Sequence, residues 1–340
     1  MTRSAIQAPE ALSRIKGLVD PAMRAAVAAL SDETMRLIAG YQLGWNDKDG
    51  RASDAGGKAI RPALAVLSAE AVTGVPDGGI APAVAVELVH NFSLLHDDVM
   101  DRDVERRHRP TGWVVFGEGQ AILAGNAMLT RAVEVLMETG ESGLRSLPCL
   151  LAATQVLISG QSRDLSLEGR ETVTLDEVID MEGGKTAALL ACSSSIGALA
   201  AGGDGAVVKA LETFGWELGI AFQLVDDVLG VIGDPAKTGK SSSSDVRAGK
   251  RSSVVVAALS NGGTAGEQLA ELLAKGAPSV EEDVTLATKL VVDSGAIEWA
   301  NTEADARLQK AVDQLGSLGL QESSAADLAA VATYVVNRDR

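Results

Sequence analysis

Apolar residues recur at helical spacing along almost the whole chain, and this periodicity constrains the fold more than any other feature. One apolar face repeats about every 3.6 residues in most segments, and the strict alternation typical of β-strands is missing. No repeat of fixed period and no low-complexity linker divides the chain. The sequence therefore predicts an all-α helical bundle in which residues 1–340 form one domain. The predicted helices span residues 8–16, 21–41, 59–73, 80–100, 118–139, 143–167, 174–201, 205–231, 251–260, 264–275, 281–294, 296–315 and 323–337.

The composition indicates how such a bundle would be filled and which partners it excludes. The chain is 46% hydrophobic but has only four Phe, four Trp and two Tyr, so Ala, Leu and Val must fill the interior. Ala and Leu are also strong helix formers. A net charge of −16 argues against nucleic acid or an anionic membrane as a general partner.

The cysteine content and the hydropathy favour a cytoplasmic protein. Cys149 and Cys192 are too few for a disulfide framework or a zinc cluster, and both are predicted to be buried thiols. Residues 1–17 lack the apolar core of a signal peptide. The longest uncharged run, between Lys185 and Asp204, contains serines and glycines. It is predicted to be a buried helix rather than a membrane span, so no integral membrane protein is expected.

Two acid pairs interrupt apolar, helix-patterned stretches: Asp97-Asp98 in LLHDDVMD (94–101) and Asp226-Asp227 in FQLVDDVLG (222–230). Unpaired carboxylates in apolar surroundings are costly, so a cation is expected to neutralise them. On a helix, Asp97 and Asp101 share one face. Ligand sets made only of oxygen suit Mg²⁺, which prefers a few carboxylates together with phosphate oxygens and water.

One such cluster alone is equally well explained as a helix terminus or a surface acid patch. Two clusters on separate apolar helices, each followed by a basic loop at 102–113 or 233–251, are harder to explain as solvated faces. Carboxylates that face each other across a bundle can hold several metal ions, which bridge them to a diphosphate. Arginine and lysine side chains would complete the charge balance on the phosphate oxygens.

Several motifs occurring in order over nearly the whole chain carry a specific resemblance. They are GGKAIRP (56–62), LLHDDVMD, RRHRPT (106–111), GGKTAAL (183–189), FQLVDDVLG, GK…SDVRAGK (239–250) and YVVNRDR (334–340). In these motifs the chain resembles the trans-isoprenyl diphosphate synthases of the polyprenyl synthetase family. The resemblance implies an isoprenoid-synthase bundle with a central active-site cavity, which forms homodimers. It also implies condensation of isopentenyl diphosphate with an allylic primer, namely dimethylallyl, geranyl or farnesyl diphosphate.

The resemblance also assigns roles to individual residues. Asp97, Asp101 and Asp226 resemble the Mg²⁺ ligands, with three ions expected when the allylic diphosphate is bound, and Asp98 resembles a supporting acid. Thr186 and Gln223 resemble the polar groups beside the allylic cation and, with Lys185, the catalytic residues. Contacts to the isopentenyl diphosphate are expected from Lys58, Arg61, His90 and Arg107, and contacts to the allylic diphosphate from Arg106, Lys185, Lys240 and Lys250.

The second acid motif departs from the family pattern. It ends in Gly230, where many relatives have a third Asp. Asp234 lies one further turn along, immediately before Pro235, and could contribute only from a helix end. The replacement is expected to alter the rate, the metal affinity or the product. Asp226 would then be the main metal ligand from the second acid motif.

Product length is predicted from the residues before Asp97. Ser93 lies one helical turn before it, and Phe92 is the fifth residue before it. In this family the product grows past these positions, so small Ser93 would leave the upper pocket open while Phe92 forms its floor. This pattern resembles geranylgeranyl diphosphate synthases and predicts a C20 product. Phe92 could instead be an ordinary core aromatic, with a farnesyl or longer product set elsewhere.

Two other functions compete with this interpretation. A class I terpene cyclase shares the all-α fold and the first acid motif, but its second motif has Asn or Asp, then Ser or Thr, then Glu at four-residue steps. Here the steps from Asp226 reach Gly230 and Asp234. A regulatory subunit that pairs with an active synthase is the non-enzymatic alternative, but such partners typically lose motif residues that this chain keeps.

Overall fold

The prediction of an all-α protein is confirmed in the computed structural model, which describes residues 7–167, 170, 172–233 and 243–337. The first half contains α1 (Glu10–Ala28), α2 (Glu33–Gln42), α3 (Ile60–Thr73), α4 (Asp77–Met100), α5 (Gly112–Phe116), α6 (Glu118–Met137) and α7 (Glu141–Leu167). The second half contains α8 (Leu175–Glu182), a π-helix (Gly183–Ala187), α9 (Ala188–Ala200), α10 (Gly205–Ile232), α11 (Ser244–Arg247), α12 (Ser253–Asn261), α13 (Gly263–Leu273), α14 (Glu281–Asp293), α15 (Ala296–Asp313), a 3₁₀ turn (Gln314–Ser317) and α16 (Glu322–Asn337).

Helices α3, α4, α9 and α10 form the centre of the bundle, and their small residues explain how closely they pack. A Cβ added at Gly197 would lie 1.8 Å from the Ala65 carbonyl oxygen, so α9 contacts the backbone of α3. A Cβ at Gly215 would lie 2.4 Å from the Leu190 carbonyl oxygen, so α10 contacts the backbone of α9. Such close contacts fill the core with few aromatic rings, as the composition predicts.

Helix α4 is long and apolar enough to cross a membrane, but it is the core helix of the bundle. Its most apolar window has a mean hydropathy of 1.3, and 61% of that window is buried inside the protein. The helix packs between α3, α6 and α9, and its C-terminal end carries the first acid cluster. This burial is expected of a soluble protein.

The boundary between the first two helices is predicted wrongly. The sequence places a break at 17–20, whereas α1 continues through Pro21 to Ala28. Ile15, Val19 and Met23 form one buried apolar stripe on α1. The free energy gained by packing this stripe exceeds the cost of the backbone hydrogen bond that Pro21 removes. The break lies instead before Glu33, where Asp32 caps α2 by accepting a hydrogen bond from the Met35 amide at 3.0 Å.

The first basic loop contains a small β-hairpin that the helical periodicity does not predict. Strand β1 (Glu105–Arg106) pairs in antiparallel register with strand β2 (Arg109–Pro110). The two turn residues, Arg107 and His108, have φ angles of 54° and 58°. This left-handed conformation costs a residue other than glycine about 1–2 kcal/mol. The hairpin therefore holds Arg106 and Arg107 in fixed positions beside the end of α4.

Candidate active site

The C-terminal turn of α4 carries the first acid cluster. The Asp101 amide donates to the Asp97 carbonyl at 2.8 Å, so the last turn is intact and places both side chains on one face. Asp98 is rotated away from them and is 1% exposed. It accepts a hydrogen bond from Arg106 Nε at 2.7 Å. Burial raises the pKa of Asp98 to about 6, although Arg106 opposes the shift.

Three cations from three separate segments surround Asp97 and Asp101. Lys185 Nζ lies 3.2 Å from Asp97 Oδ1, and Arg106 Nη2 lies 4.0 Å from Asp97 Oδ2. Lys250 Nζ lies 3.9 Å from Asp101 Oδ2. The Asp97 and Asp101 side chains are 17% and 11% exposed, so these ion pairs are partly shielded from water.

Three buried carboxylate oxygens of this cluster accept no hydrogen bond from the described residues: Oδ1 of Asp97, Oδ2 of Asp98 and Oδ1 of Asp101. Of these, Asp97 Oδ1 lies 3.2 Å from Lys185 Nζ and so has an ion-pair partner. Burial and the neighbouring Asp97 raise the pKa of Asp101 to about 6, against the attraction of Lys185 and Lys250. Orphaned carboxylate oxygens of this kind suit a hard divalent cation.

The donor set would hold Mg²⁺ only together with other oxygen ligands. Within 7–167, 170, 172–233 and 243–337, no three acidic, His or Cys side chains converge on one metal-sized point. Mg²⁺ commonly takes one or two carboxylates and completes its shell with phosphate oxygens and water. Asp97 and Asp101 fit that role when a diphosphate supplies the remaining oxygens.

The π-helix between α8 and α9 presents Lys185 to the acid cluster. A Cβ at Gly160 would lie 2.3 Å from the Lys185 amide nitrogen, so the glycine in α7 permits direct backbone contact. Asp164, one turn after Gly160, receives a hydrogen bond from Lys185 Nζ at 2.6 Å. Burial disfavours the charged lysine, but Asp97 and Asp164 outweigh it and raise the pKa of Lys185. Lys185 is therefore fully protonated at neutral pH.

A buried hydrogen-bond chain connects this π-helix to α10. Thr186 Oγ1 donates to Gln223 Oε1 at 2.9 Å, and Gln223 Nε2 donates to Asp227 Oδ1 at 2.8 Å. The other Asp227 oxygen accepts from the Ser253 amide and hydroxyl at 2.8 and 2.6 Å. Burial and the neighbouring Asp227 raise the pKa of Glu182 well above its ordinary value. Glu182 thus keeps its proton at neutral pH, and its Oε1 accepts a hydrogen bond from the Ser253 amide at 3.2 Å.

The two acid pairs share one arrangement. In each pair the second aspartate is buried and hydrogen-bonded within the protein, since Asp98 and Asp227 are 1% and 4% exposed. The first aspartate, Asp97 or Asp226, is half-buried. Successive residues on a helix lie about 100° apart, so one can support the structure while the other faces the site.

A second basic cluster lies beside α3 and α4. Arg61 Nη1 lies 3.3 Å from His90 Nε2. Burial and the nearby Arg61, Arg107 and Arg106 hold the pKa of His90 well below its ordinary value, so the ring is neutral. Arg107 packs over Gly57, where a Cβ would lie 3.1 Å from Nη1.

A half-buried acid, Glu87, and a cavity adjoin this basic cluster. Burial raises the pKa of Glu87, although Arg61 and Arg107 oppose the shift. A cavity of about 260 Å³ lies between α1 and the segment 43–59, and Glu87 is one of the residues that line it. Lys58 extends over the ring of Tyr334 in α16 at 5.6 Å.

Comparison with known proteins decides the family. The sequence model of the family described as Polyprenyl synthetase matches residues 51–291. The chain belongs to the polyprenyl synthetase family. It is therefore an enzyme, a prenyltransferase of the class that makes linear prenyl diphosphates.

Two curated relatives show that family membership does not fix the product. A (2E,6E)-farnesyl diphosphate synthase of Mycobacterium tuberculosis is 43% identical over 326 residues, which cover 94% of this chain and 90% of the relative. A geranylgeranyl diphosphate synthase of the same organism is 42% identical over 307 residues, which cover 89% and 87%. Among solved structures, polyprenyl synthetase from Streptomyces coelicolor A3(2) has a TM-score of 0.91 at 46% identity and covers 96% of this chain and 98% of its own.

In this polyprenyl synthetase the structure brings together most residues that the sequence singles out. Asp97, Asp101, Arg106, Lys185 and Lys250 converge on one region, Thr186 pairs with Gln223, and Arg61, His90 and Arg107 cluster beside Glu87. Lys240 lies outside the described residues. Sequence reasoning missed Asp164, Glu182 and Ser253, which support Lys185 and Asp227. Only the structure reveals them, because each acts through a contact between distant helices.

Proposed function

We propose that the protein is a Mg²⁺-dependent prenyltransferase that condenses isopentenyl diphosphate with an allylic diphosphate. Its proposed product is the C20 compound geranylgeranyl diphosphate. The main support is the pair of half-buried acids Asp97 and Asp101, which share one face of α4 and lie among Lys185, Lys250 and Arg106. Oδ1 of Asp101 is buried and accepts no hydrogen bond from the described residues, and Oδ1 of Asp97 is contacted by Lys185 Nζ at 3.2 Å. This arrangement suits metal ions and a diphosphate bound together.

Two relatives carry such ligands. The polyprenyl synthase of Caulobacter crescentus CB15, 27% identical, is complexed with calcium and isoprenyl diphosphate. The geranylgeranyl pyrophosphate synthase of Corynebacterium glutamicum, 25% identical, is complexed with isoprenyl diphosphate and magnesium. By analogy we assign Asp97, Asp101 and Asp226 as the metal ligands, with three ions in the fully loaded site.

The allylic diphosphate would be held by Lys185, Lys250 and Arg106, with Lys240 as a further expected contact. Bound Mg²⁺ supplies Lewis-acid stabilisation of the negative charge that develops on the leaving diphosphate. The three cations add fixed positive charge in a partly desolvated site, where it acts strongly. Because Lys185 is held by Asp97 and Asp164 before substrate arrives, its ammonium group needs little reorganisation.

Thr186 and Gln223 would stabilise the allylic cation by their dipoles. The Thr186 hydroxyl donates a hydrogen bond to Gln223 Oε1, so the lone pairs of the hydroxyl oxygen can face an adjacent positive charge. The allylic C–O bond breaks, the double bond of isopentenyl diphosphate attacks C1 of the cation, and a proton is then lost. The departing diphosphate can accept that proton, so no side chain need serve as the base.

The isopentenyl diphosphate would bind without metal at Lys58, Arg61, His90 and Arg107. His90 is neutral and can donate a hydrogen bond to a phosphate oxygen, while the arginines supply the charge. In the absence of substrate, the half-buried Glu87 attracts both Arg61 and Arg107. The hairpin that fixes Arg106 and Arg107 would bring the two diphosphate sites next to each other.

The proposal of a C20 product is based on Phe92 and Ser93. Phe92 is buried in α4, where its ring packs edge-on against His96 with a centroid distance of 5.0 Å. Ser93 is half-buried, and its hydroxyl donates to the His90 carbonyl at 2.8 Å, so it adds little bulk below Asp97. A farnesyl or longer-chain product is the alternative.

A homodimer is the proposed assembly, and an exposed apolar surface on α6 and α7 supports it. Its members include Ile122, Leu123, Met137, Leu144, Leu151, Val156 and Ile158, which are 41–61% exposed. Exposed apolar residues concentrated on two neighbouring helices commonly mark a subunit interface. We also take the chain to be one all-helical domain that works in the cytoplasm. Analytical ultracentrifugation tests the dimer, and a monomer at micromolar concentration would contradict it.

Turnover by the isolated protein tests the activity itself. Diphosphate release is measured with isopentenyl diphosphate and geranyl diphosphate, with Mg²⁺ or with a chelator. We expect turnover only with Mg²⁺, a loss of about 10²-fold or more in Asp97→Asn, and no loss in the exposed control Asp293→Asn. Turnover that persists with the chelator, or that requires an added partner subunit, would overturn the proposal.

A further inference from the structure

The carboxylate of Asp245 occupies the space that a side chain at position 230 would fill. A Cβ built on Gly230 would lie 2.2 Å from Asp245 Oδ2 and 2.5 Å from its Cγ. Gly230 follows Asp226 by four residues on α10, so both positions face the same direction, with Cβ atoms about 5–6 Å apart. The Asp245 carboxylate therefore lies about one helical turn from the half-buried Asp226.

Asp245 is held there by contacts between α11 and its surroundings. The Ser244 hydroxyl donates to the Gly230 carbonyl at 3.4 Å, which joins the start of α11 to the end of α10. The Lys250 amide donates to the Asp245 carbonyl at 2.9 Å. The Ser244 contact holds the start of α11 against the end of α10, and the Lys250 bond closes the turn that follows α11.

Asp245 also belongs to the charge environment of the first acid cluster. Burial disfavours the charged form of Lys250, but Asp101 and Asp245 outweigh it and raise the pKa of the lysine. Lys250 Nζ itself lies 3.9 Å from Asp101 Oδ2. The residue whose amide bonds the Asp245 carbonyl thus extends its side chain to the first acid cluster, which joins α11 to the site.

We propose that Asp245 supplies the third carboxylate of the second acid cluster and binds divalent cation together with Asp226, in place of an acid at position 230. This inference rests on the proposed function and names one further ligand for it. Gly230 is then a requirement of the arrangement, because any side chain there would displace the Asp245 carboxylate.

Mg²⁺ binding tests the inference without turnover. Mg²⁺ is titrated calorimetrically into protein saturated with geranyl S-thiolodiphosphate, an analogue whose allylic C–S bond resists cleavage. Asp245→Asn keeps the size of the side chain and removes its charge, and we expect about tenfold weaker Mg²⁺ binding. The matched control is Glu281→Gln, which removes an exposed acid paired with Arg247 of the same α11 and is expected to bind within about twofold of wild type.

A variant that carries the carboxylate on α10 instead of α11 separates the loss of a metal ligand from damage to α11. The double variant Gly230→Asp with Asp245→Ala moves the acid from α11 to α10 and removes the clash. We expect its Mg²⁺ affinity to return to within about threefold of wild type, whereas Asp245→Ala alone stays about tenfold weaker. Thermal unfolding of each variant verifies that it is folded.

Asp97→Asn separates failure of this inference from failure of the proposed function. Weak binding in Asp97→Asn with wild-type binding in Asp245→Asn would overturn the role of Asp245 and leave the metal site in place. Wild-type binding in both would overturn the metal site itself. A double variant no better than Asp245→Ala alone would also overturn the inference.

Discussion

Asp164 of α7 holds the ammonium group of Lys185 at 2.6 Å, and the same ammonium lies 3.2 Å from Asp97. A residue of the π-helix is thereby fixed between two other helices before substrate binds. Asp164 is therefore predicted to position Lys185 for the allylic diphosphate.

Asp164→Asn is expected to raise the KM for the allylic diphosphate about tenfold and to lower kcat less. The reason is the loss of one charge-assisted hydrogen bond of about 1.5–3 kcal/mol to Lys185. Steady-state kinetics with isopentenyl diphosphate held saturating gives both constants. The control is Asp180→Asn, which removes an exposed acid of α8. Equal KM values for Asp164→Asn and wild type would contradict the positioning role.

Gly160→Ala is expected to lower the free energy of unfolding by about 1–3 kcal/mol and to reduce turnover. The new methyl group would lie 2.3 Å from the Lys185 amide nitrogen, and the π-helix backbone would have to move. Gly17→Ala in α1 is the matched control, because nothing lies within 4 Å of its added Cβ. It should stabilise the protein by up to about 1 kcal/mol. Urea denaturation measures both, and an equal effect of the two changes would refute the close-packing argument.

His90 is expected to make the protein less stable in mild acid. Its folded pKa lies below its unfolded value of about 6.5, so the unfolded state binds the proton more tightly. Its contribution to stability is complete above pH 6.5 and falls by roughly 1.4 kcal/mol per pH unit below it. His90→Gln should therefore lose less stability than wild type between pH 7.5 and pH 5.5.

Urea denaturation at the two pH values measures this difference for His90→Gln. His108→Gln, which changes the exposed residue of the hairpin turn, is the control. Identical pH dependence of wild type and His90→Gln would show that burial does not hold the ring neutral.

Phe92→Ala is expected to lengthen the product beyond C20. Removing the ring opens the space below Ser93, into which the growing chain could extend. Chromatography of products from labelled isopentenyl diphosphate measures their length. Phe214→Leu, which changes a fully buried aromatic in α10, controls for general loosening of the core. An unchanged product from Phe92→Ala would place the floor elsewhere.

The sequence predicts those parts of the molecule that depend on local periodicity. Helices α4 and α10 are long and apolar along most of their length, so their extents follow from hydropathy, and the shared face of Asp97 and Asp101 follows from their spacing. Short elements such as α5, α11 and the hairpin contain too few residues to show a period. The position of the first break between helices depends on the packing of Val19 and Met23. This packing keeps α1 helical through Pro21, although proline disfavours a helix interior.

The supporting residues of the site could not be predicted in the same way. The contact of Asp164 with Lys185 requires the π-helix and the close approach at Gly160, both of which depend on tertiary packing. From the sequence, Gly230 stands where many relatives have an aspartate, which indicates that one carboxylate is missing. In the structure, the carboxylate of Asp245 approaches the same point from another helix.

Product analysis of the isolated wild-type protein tests the central claim most directly. The protein is incubated with Mg²⁺, labelled isopentenyl diphosphate and, in separate reactions, dimethylallyl, geranyl or farnesyl diphosphate, and the dephosphorylated products are separated by chromatography. The account predicts a C20 alcohol as the final product from every primer that is used. A sole C15 product, products of C30 or longer, or no elongation at all would contradict it.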